Sequence, residues 1–510
     1  MPQNYYQLGG FRSPIKWFLY NDKGLAECIA GTGSPLKSST DDPVELALGI
    51  KPSGTSHLLL TVDQTHHVAD NLFLERPQAL PLSSMDFESV SPIYFHGPHQ
   101  LAKKLGTLKP KAQGSRDRPP TDNSQVNKHY VSREDGAARG SFEHGRLLYC
   151  ILQDSLDLHA YALNDKSWVE SLQICSFVFN TVLVDQRHSS ERVTNPRVLD
   201  VGIAEADIPG IFPRSPIHIR GSWNAYLSRG KQGNFRYGTT EELDRDSANL
   251  RVKQYFADKI GSNTHPTILL VHDRQTTLNF LKNCGVDTNN WELGIKGLLG
   301  FETFKKVKSE PGLSRPNDPR RQQPTTSSSR HDDYKQRQHR PRSRSRSPRR
   351  SSESPYKPYR SPRRGPPSPR HRPGPRTHPP IYVIDIQELY MKLMQTQFGS
   401  ESVNAISKQF GQPDVAEWCA GNEAMHIIDI WRSMISGASI DDQRANRTAP
   451  PPQLQYDTYA QTTQRIPDLA DSDEERDPND FAAIPATALL VSGAGTYGDD
   501  DSDYGQSDSD

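Results

Sequence analysis

Six arginines stand within eleven residues, Arg340, Arg342, Arg344, Arg346, Arg349 and Arg350, interleaved with serine and proline. Guanidinium groups grip phosphate oxygens bidentately, and a flexible cationic arm gains more by releasing counterions from a nucleic acid. Tyr334, Tyr356 and Tyr359 lie in the same region and add aromatic faces on which bases stack. The plainer alternative is a solvated linker. Serine phosphorylation would add negative charge and could release such an arm from RNA. A second set of reactive groups follows two apolar runs: His272 and Asp273 after TILLV, and Asp385 after IYVI. Acids in that position commonly serve a neighbouring helix N-terminus, and His272 reads as a hydrogen-bonded structural histidine rather than a base. The five cysteines, Cys28, Cys150, Cys175, Cys284 and Cys419, show no C-x-x-C spacing. That argues against a zinc site and against a disulfide framework. Cys175 and Cys284 read as small buried hydrophobes.

The elements that position these groups occupy only part of the chain. Of 510 residues 34% are apolar, with 40 Pro and 35 Gly, too polar for three or four packed domains. Formal charge is zero but segregated. Residues 315–376 hold 19 Lys/Arg against 4 Asp/Glu, and residues 468–510 hold 13 Asp/Glu against one Arg. Such a chain is expected to carry a basic arm and an acidic tail. The first twenty residues lack a continuous apolar segment, so no signal peptide is expected. No stretch approaches the ~20 apolar residues of a membrane span. A soluble nuclear or cytoplasmic protein is the expectation.

Periodicity divides the chain. Residues 1–140 contain only short apolar clusters between Pro, Ser and Gly runs, and are expected to be mostly disordered. From 142 a helix carries Leu147, Leu148, Ile151, Leu152 and Leu156. Phe177–Asp185, Arg197–Ala206 and Ile217–Arg220 read as three strands linked as an antiparallel meander. Glu241–Ile260 reads as an amphipathic helix. Thr267–Val271 reads as a strand covered on both faces, and Thr276–Cys284 as a helix stopped by Gly285. From 310 to 380 no core can form. A strand then starts at Ile381–Ile384, followed by helices over Ile386–Phe398, Val403–Phe410 and Asn422–Ile435, the last with Trp431 in its apolar stripe. The order β-β-β-α-β-α-insertion-β-α-α predicts a mixed five-stranded α/β sheet with helices on both faces. The domain is thus split into 142–309 and 381–439, and 440–510 form a disordered acidic tail.

Leu199–Asp207 (LDVGIAEAD), Leu269–Leu281 (LLVHDRQTTLNFL), Val383–Tyr390 (VIDIQELY) and Cys419–Trp431 (CAGNEAMHIIDIW) resemble, in order and spacing, segments of ribonuclease-H-like DEDD 3′–5′ exonucleases. With IHIRGSWNAYLSRG and FRYG between strands, the set most resembles the fungal Gfd-two-like C-terminal domain family. The segment RSRSRSP also resembles the Arg/Ser domains of mRNA-processing factors. The exonuclease chemistry needs four acids holding two Mg²⁺ or Mn²⁺ ions. By the resemblance, the first motif falls on Asp185-Gln186-Arg187, the second-motif acid on Thr277, the last on Glu423, and the general-base histidine on Trp418. Asp185 and Glu423 would be residual metal ligands, with Asp273 and Asp385 as possible substitutes. Trp418 reads as a core aromatic or as a stacking face for a base. The resemblance therefore implies a degenerate domain that binds RNA or RNA-associated proteins without catalysis, needing no cofactor. The alternatives are an active Mg²⁺- or Mn²⁺-dependent exonuclease with a rearranged site, and a protein-interaction scaffold.

The two charged arms sit on one chain at an effective concentration on the order of millimolar, so the acidic tail should compete with RNA for the arginines. Deleting residues 468–510 should tighten binding of a labelled single-stranded RNA at low salt, read by fluorescence anisotropy. The gain should fade as salt shortens the screening length towards ~8 Å. Equal affinities at low salt would rule out the competition.

Overall fold

The computed structural model describes residues 2–301 and 381–448, except 12, 19–20, 111–121, 129, 131–134, 164–165, 223–232, 262–264, 397–400 and 413–416. The Arg/Ser insertion, residues 310–380, and the acidic tail beyond 448 lie outside the described residues, as do the six arginines named above.

The N-terminal region is folded, contrary to the expectation of disorder over 1–140. Its elements are β1 (Asn4–Gln7), α1 (Asp22–Ala30), β2 (Val44–Ile50), β3 (Ser56–Thr61), α2 (Val62–Asn71), β4 (Leu82–Ser83), β5 (Ser89–Phe95) and α3 (Pro98–Leu108). The strands form an antiparallel sheet in the order β4-β1-β3-β2-β5. Leu46, Leu48, Ile50, Leu58 and Leu60 share one cluster with α1 and α3, whereas Ala47 and Leu59 belong to the core on the other side. Burial on both faces erases the alternation that marks a half-exposed strand, and Pro and Gly cut the runs to seven residues or fewer. Pro92 is tolerated because β5 is an edge strand. A capping box starts α2: Thr61 Oγ1 accepts from the Gln64 amide at 3.1 Å, and Gln64 Oε1 accepts from the Thr61 amide at 3.0 Å.

The second part runs α4 (Asp135–Leu152), β6 (Gln173–Thr181), α5 (Ser189–Thr194), β7 (Val198–Asp207), β8 (Phe212–Gly221), β9 (Thr240–Leu243), α6 (Arg245–Gly261), β10 (Thr267–Val271), α7 (Arg274–Asn283) and β11 (Glu292–Leu293). After the insertion come β12 (Ile381–Asp385), α8 (Ile386–Met394), α9 (Val403–Gln409), α10 (Ala420–Ile435) and α11 (Ile440–Thr448). The sheet is mixed and seven-stranded, ordered β11-β12-β10-β6-β7-β8-β9. β6, β7 and β8 are antiparallel neighbours, while β10 runs parallel to both β6 and β12. The two strands beyond the expected five are short edges. β9 takes residues read as the start of the following helix, which begins instead at Arg245 behind Asp244. The Asp244 carboxylate accepts from the Ser247 amide at 2.9 Å, an N-terminal cap that stops strand and starts helix in one residue. β10 is buried along its whole length, as a strand with helices on both faces must be. No described helix is long and apolar enough to cross a membrane.

Helix α4 and helix α10 fill the space between the two sheets. Phe142, Leu147, Leu148, Ile428, Trp431 and Ile435 share one core with Tyr5 and Leu59 of the first sheet and Ile174, Val178 and Ile268 of the second. Gly145 lets the two helices touch, since a Cβ there would stand 2.6 Å from Ile435 Cγ2. On the far face of the seven-stranded sheet, Phe177, Ile203 and Val271 pack on Val252 and Phe256 of α6 and Leu281 of α7.

The folded region also extends past 439, where the tail was expected to begin. Asp441 of α11 is buried and paired with Arg139 of α4, with Lys104 of α3 at 4.0 Å and Arg444 at 3.5 Å. Lys104 also meets Asp442 at 2.8 Å. Nearby, Glu143 of α4 pairs with Arg146 at 2.6 Å and accepts from Ser91 Oγ at 2.6 Å and the Ile440 amide at 2.9 Å. A polar helix such as α11 carries no apolar period to mark it in the sequence, because its partners are charges from distant elements. Removing one member of a buried ion pair strands the other and costs about 3–5 kcal/mol. Asp441→Ala should therefore lower the unfolding free energy by that amount in urea titrations. Asp154→Ala, which breaks the exposed pair with Lys166, should leave the midpoint unmoved. Equal midpoints for both variants would show that α11 does not hold the fold.

Candidate functional site

A cavity of about 170 Å³ opens at the C-terminal ends of β6 and β10, walled by Asn180, His272, Asp273, Thr277, Ser402 and Glu423 among others. Thr277 and Glu423 thus share this groove. Asp185 is not among its walls. It lies past the end of β6, gripped by Arg187 through Nε–Oδ1 at 2.9 Å and Nη2–Oδ2 at 2.6 Å. These bonds hold the Asp185 carboxyl down at about 2. Among the β6 residues that line the groove is Asn180, 2% exposed and neutral.

The two acids at strand ends cap helices. Asp273 accepts from the Thr276 amide at 3.1 Å and from Thr276 Oγ1 at 2.6 Å, starting α7. Asp385 accepts from the Glu388 amide at 3.0 Å, starting α8, and from the Arg274 amide at 2.9 Å. His272 Nε2 lies 2.8 Å from the Glu401 carbonyl. Trp431 is buried in the core, whereas Trp418 is half-buried and its carbonyl accepts from Gly233 at 3.0 Å. Cys175 and Cys284 are buried, and burial pushes both thiols up to about 12. Glu423 is the other carboxylate among the groove's walls. Two hard cations need several anionic oxygens each, and this groove does not fit a two-metal centre.

One strand over, the same face of the sheet carries a different set of donors. Asn180 of β6 is the register partner of Asp200 on β7, and Gly202 is the partner of His218 on β8. Asp200 and His218 are 1% and 2% exposed, and Cys419, just before α10, is 1% exposed. His218 Nε2 lies 2.8 Å from Asp200 Oδ2 and 3.8 Å from Cys419 Sγ, while Nδ1 lies 2.9 Å from Thr240 Oγ1. Asp200 Oδ2 also accepts from the Ala420 amide, the first of α10, at 2.9 Å. Asp200 Oδ1 is buried with no hydrogen-bond partner among the described residues. Phe235 covers the imidazole at 5.2 Å between centroids. Asn422 holds that loop by accepting from the Arg236 amide at 3.0 Å and donating to the Asn234 carbonyl at 2.9 Å.

Burial works against a charged His218, but the bond to Asp200 and the neighbouring Cys419 outweigh it, lifting the imidazole to about 9. A nucleophilic relay needs its acid and its nucleophile on opposite ring nitrogens. Here both converge on Nε2, and Thr240 takes Nδ1, so the cluster is not built as a Cys–His–Asp nucleophile. Its three donor atoms lie within 4.8 Å of one another, and no other group of three such donors converges among the described residues. The sequence reading missed it because Asp200, His218 and Cys419 have no common spacing. The available signal was LDVG, a buried-strand pattern interrupted by an acid and a glycine.

No protein-family model and no curated protein matches the chain.

Burial pushes the Asp385 carboxyl up to about 6 despite its two amide donors. In the unfolded chain it would titrate near ~3.9. The folded state therefore binds the extra proton, and stability falls as pH rises through this window, then levels off. Asp385→Asn keeps a capping side chain without the charge. Its melting temperature relative to the native protein should improve from about pH 4 to about pH 6 and hold constant above. A relative melting temperature of the variant that instead falls over that window would place the carboxyl below its ordinary range.

Proposed function

We propose that this chain is a nucleic-acid-binding protein, with RNA as its expected ligand, built on a ribonuclease-H-like domain that has lost two-metal cleavage. The observation that carries the reading is the groove at the end of β6. Asn180 and Thr277 stand there as neutral groups, Asp273 caps a helix, and Glu423 is the other acid in the lining. The strand order β12-β10-β6-β7-β8, antiparallel on one side of β6 and parallel on the other, supports the ribonuclease-H-like part. It is the arrangement that the resemblance of the four segments implies.

Binding would rest on phosphate contacts rather than on metal-bridged ones. The Arg/Ser segment supplies most of that charge, inserted between β11 and β12. A second contribution comes from a cleft of about 430 Å³ on the α6 side of the sheet, where Arg197 and Arg245 are exposed beside Asn195 and Asn283. Neutral amide groups next to guanidinium groups suit sugar and phosphate oxygens without demanding a base sequence.

Full-length protein should leave labelled single-stranded RNA and DNA intact in Mg²⁺ or Mn²⁺, while binding RNA with an affinity that falls steeply with salt. The expected log–log slope is about −0.7 per phosphate neutralised on a single strand. Replacing residues 310–380 by a short Gly/Ser linker should flatten that slope, and Arg197→Glu with Arg245→Glu should weaken binding further. Metal-dependent shortening that disappears in Glu423→Gln would establish the exonuclease reading instead. Salt-insensitive binding would exclude the arginine arm.

A further inference from the structure

Asp200, His218 and Cys419 bring three different donor atoms to one buried point from β7, β8 and the start of α10. Each part of the arrangement suits a metal better than the hydrogen bonds now in place. His218 Nδ1 is already engaged with Thr240 Oγ1 at 2.9 Å, which is how a metal-ligating imidazole is usually oriented, leaving Nε2 as the ligand. Nε2 faces both Cys419 Sγ at 3.8 Å and Asp200 Oδ2 at 2.8 Å. Asp200 Oδ1 remains buried with no partner among the described residues, an expensive state for a carboxylate oxygen. The Ala420 amide orients the other oxygen at 2.9 Å, as outer partners orient ligating carboxylates.

We propose that Asp200, His218 and Cys419 form a mononuclear zinc-type metal site, with Asp200 chelating through both carboxylate oxygens in a distorted four-coordinate shell, that fastens the N-terminus of α10 to strands β7 and β8. The donor set of one sulfur, one nitrogen and carboxylate oxygen selects a borderline cation such as Zn²⁺ over Mg²⁺ or Ca²⁺, which take oxygen alone. Zinc–nitrogen and zinc–oxygen bonds of about 2.0–2.1 Å put tetrahedral ligands roughly 3.3 Å apart. The Asp200–His218 bond therefore opens by about half an ångström when the ion replaces its proton. The thiol proton and any imidazolium proton leave to solvent, so uptake strengthens with pH. With β7 and β8 before the insertion and α10 after it, the ion joins the two halves of the split domain. The function is structural: all three side chains are buried.

Cobalt substitution of the full-length chain tests this. After chelator treatment and dialysis, one equivalent of Co²⁺ should give a thiolate-to-cobalt charge-transfer band and intense tetrahedral d–d absorption, both bleached by Zn²⁺. Zinc should also raise the melting temperature by several degrees, as a ligand of the folded state alone does. Cys419→Ser should abolish the charge-transfer band, while serine at Cys28, Cys150, Cys175 or Cys284 should preserve it. If Cys419→Ser fails to fold, Thr240→Val serves instead: it leaves all ligands in place and should weaken Co²⁺ binding on the order of 10- to 100-fold. Cobalt bound without a thiolate band, or a band that survives Cys419→Ser, would overturn the proposal. So would unchanged affinity in Thr240→Val.

Discussion

Helix α10 meets the seven-stranded sheet through two glycines, Gly202 of β7 and Gly421 in its own first turn. A Cβ on Gly202 would overlap the Ala420 carbonyl, and one on Gly421 would strike the His218 Cβ and the Phe235 ring. Only at this approach can the Ala420 amide reach Asp200, and only then does Cys419 stand beside the imidazole. The helix that follows is buried along nearly its whole length, facing β6, β7 and β8 on one side and α4 on the other. A side chain at 202 would lift the helix off the sheet, opening the apolar core and separating the three donors at once. The contact is therefore both the keystone of the packing and the device that assembles the polar cluster.

The carboxylate of this sheet face stands one strand away from the groove. At the end of β6, where the resemblance places acids, the groove shows Asn180. Its cross-strand partner Asp200 carries the carboxylate, and antiparallel partners hold their Cβ atoms only ~4.5–5.5 Å apart. This short displacement changes the character of the site. In the groove a carboxylate would face an open cavity and a hydrated hard cation. At Asp200 it faces a buried imidazole and a buried thiol, where soft and directional ligation is favoured. Glu423, one helical turn beyond Cys419, still faces the groove, so the two environments share the first turn of α10 but not their donors.

The elements of the split domain were legible because their signals are local. TILLV and IYVI are continuous apolar runs that only a doubly covered strand explains, and the apolar stripe from Ala424 to Ile435 has helical period. The capping roles of Asp273 and Asp385 could be read the same way, since capping needs only the next few residues, whereas the Glu401 carbonyl beside His272 lies 129 residues away. Two kinds of structure were not legible. The N-terminal sheet buries both faces with strands of two to seven residues, so it shows neither alternation nor length. The Asp200 cluster and the Asp441 cluster depend on partners far away in sequence, and no spacing rule can announce them. Asp185, to which the resemblance assigns the first acid, lies four residues past the strand end at Thr181 and outside the groove's lining.

Three buried carboxylates carry the polar side of closure across the insertion. Asp441 of α11 answers Arg139 of α4 and Lys104 of α3; Glu143 of α4 accepts the Ile440 amide; Asp200 of β7 accepts the Ala420 amide. In each case a group before residue 302 meets one after residue 380. Apolar packing would draw these segments together without fixing their register, because the hydrophobic effect has no direction. A buried carboxylate with fixed donors does fix it, since misplacement by an ångström leaves a charge unsatisfied in a medium of low dielectric. The entropic cost of the intervening chain grows only with the logarithm of its length, roughly 0.6 kcal/mol per doubling. A fold whose halves recognise each other through directional charge can therefore carry a long arginine-rich segment between β11 and β12, and can tolerate changes in that segment's length, while α10 keeps its place on the sheet.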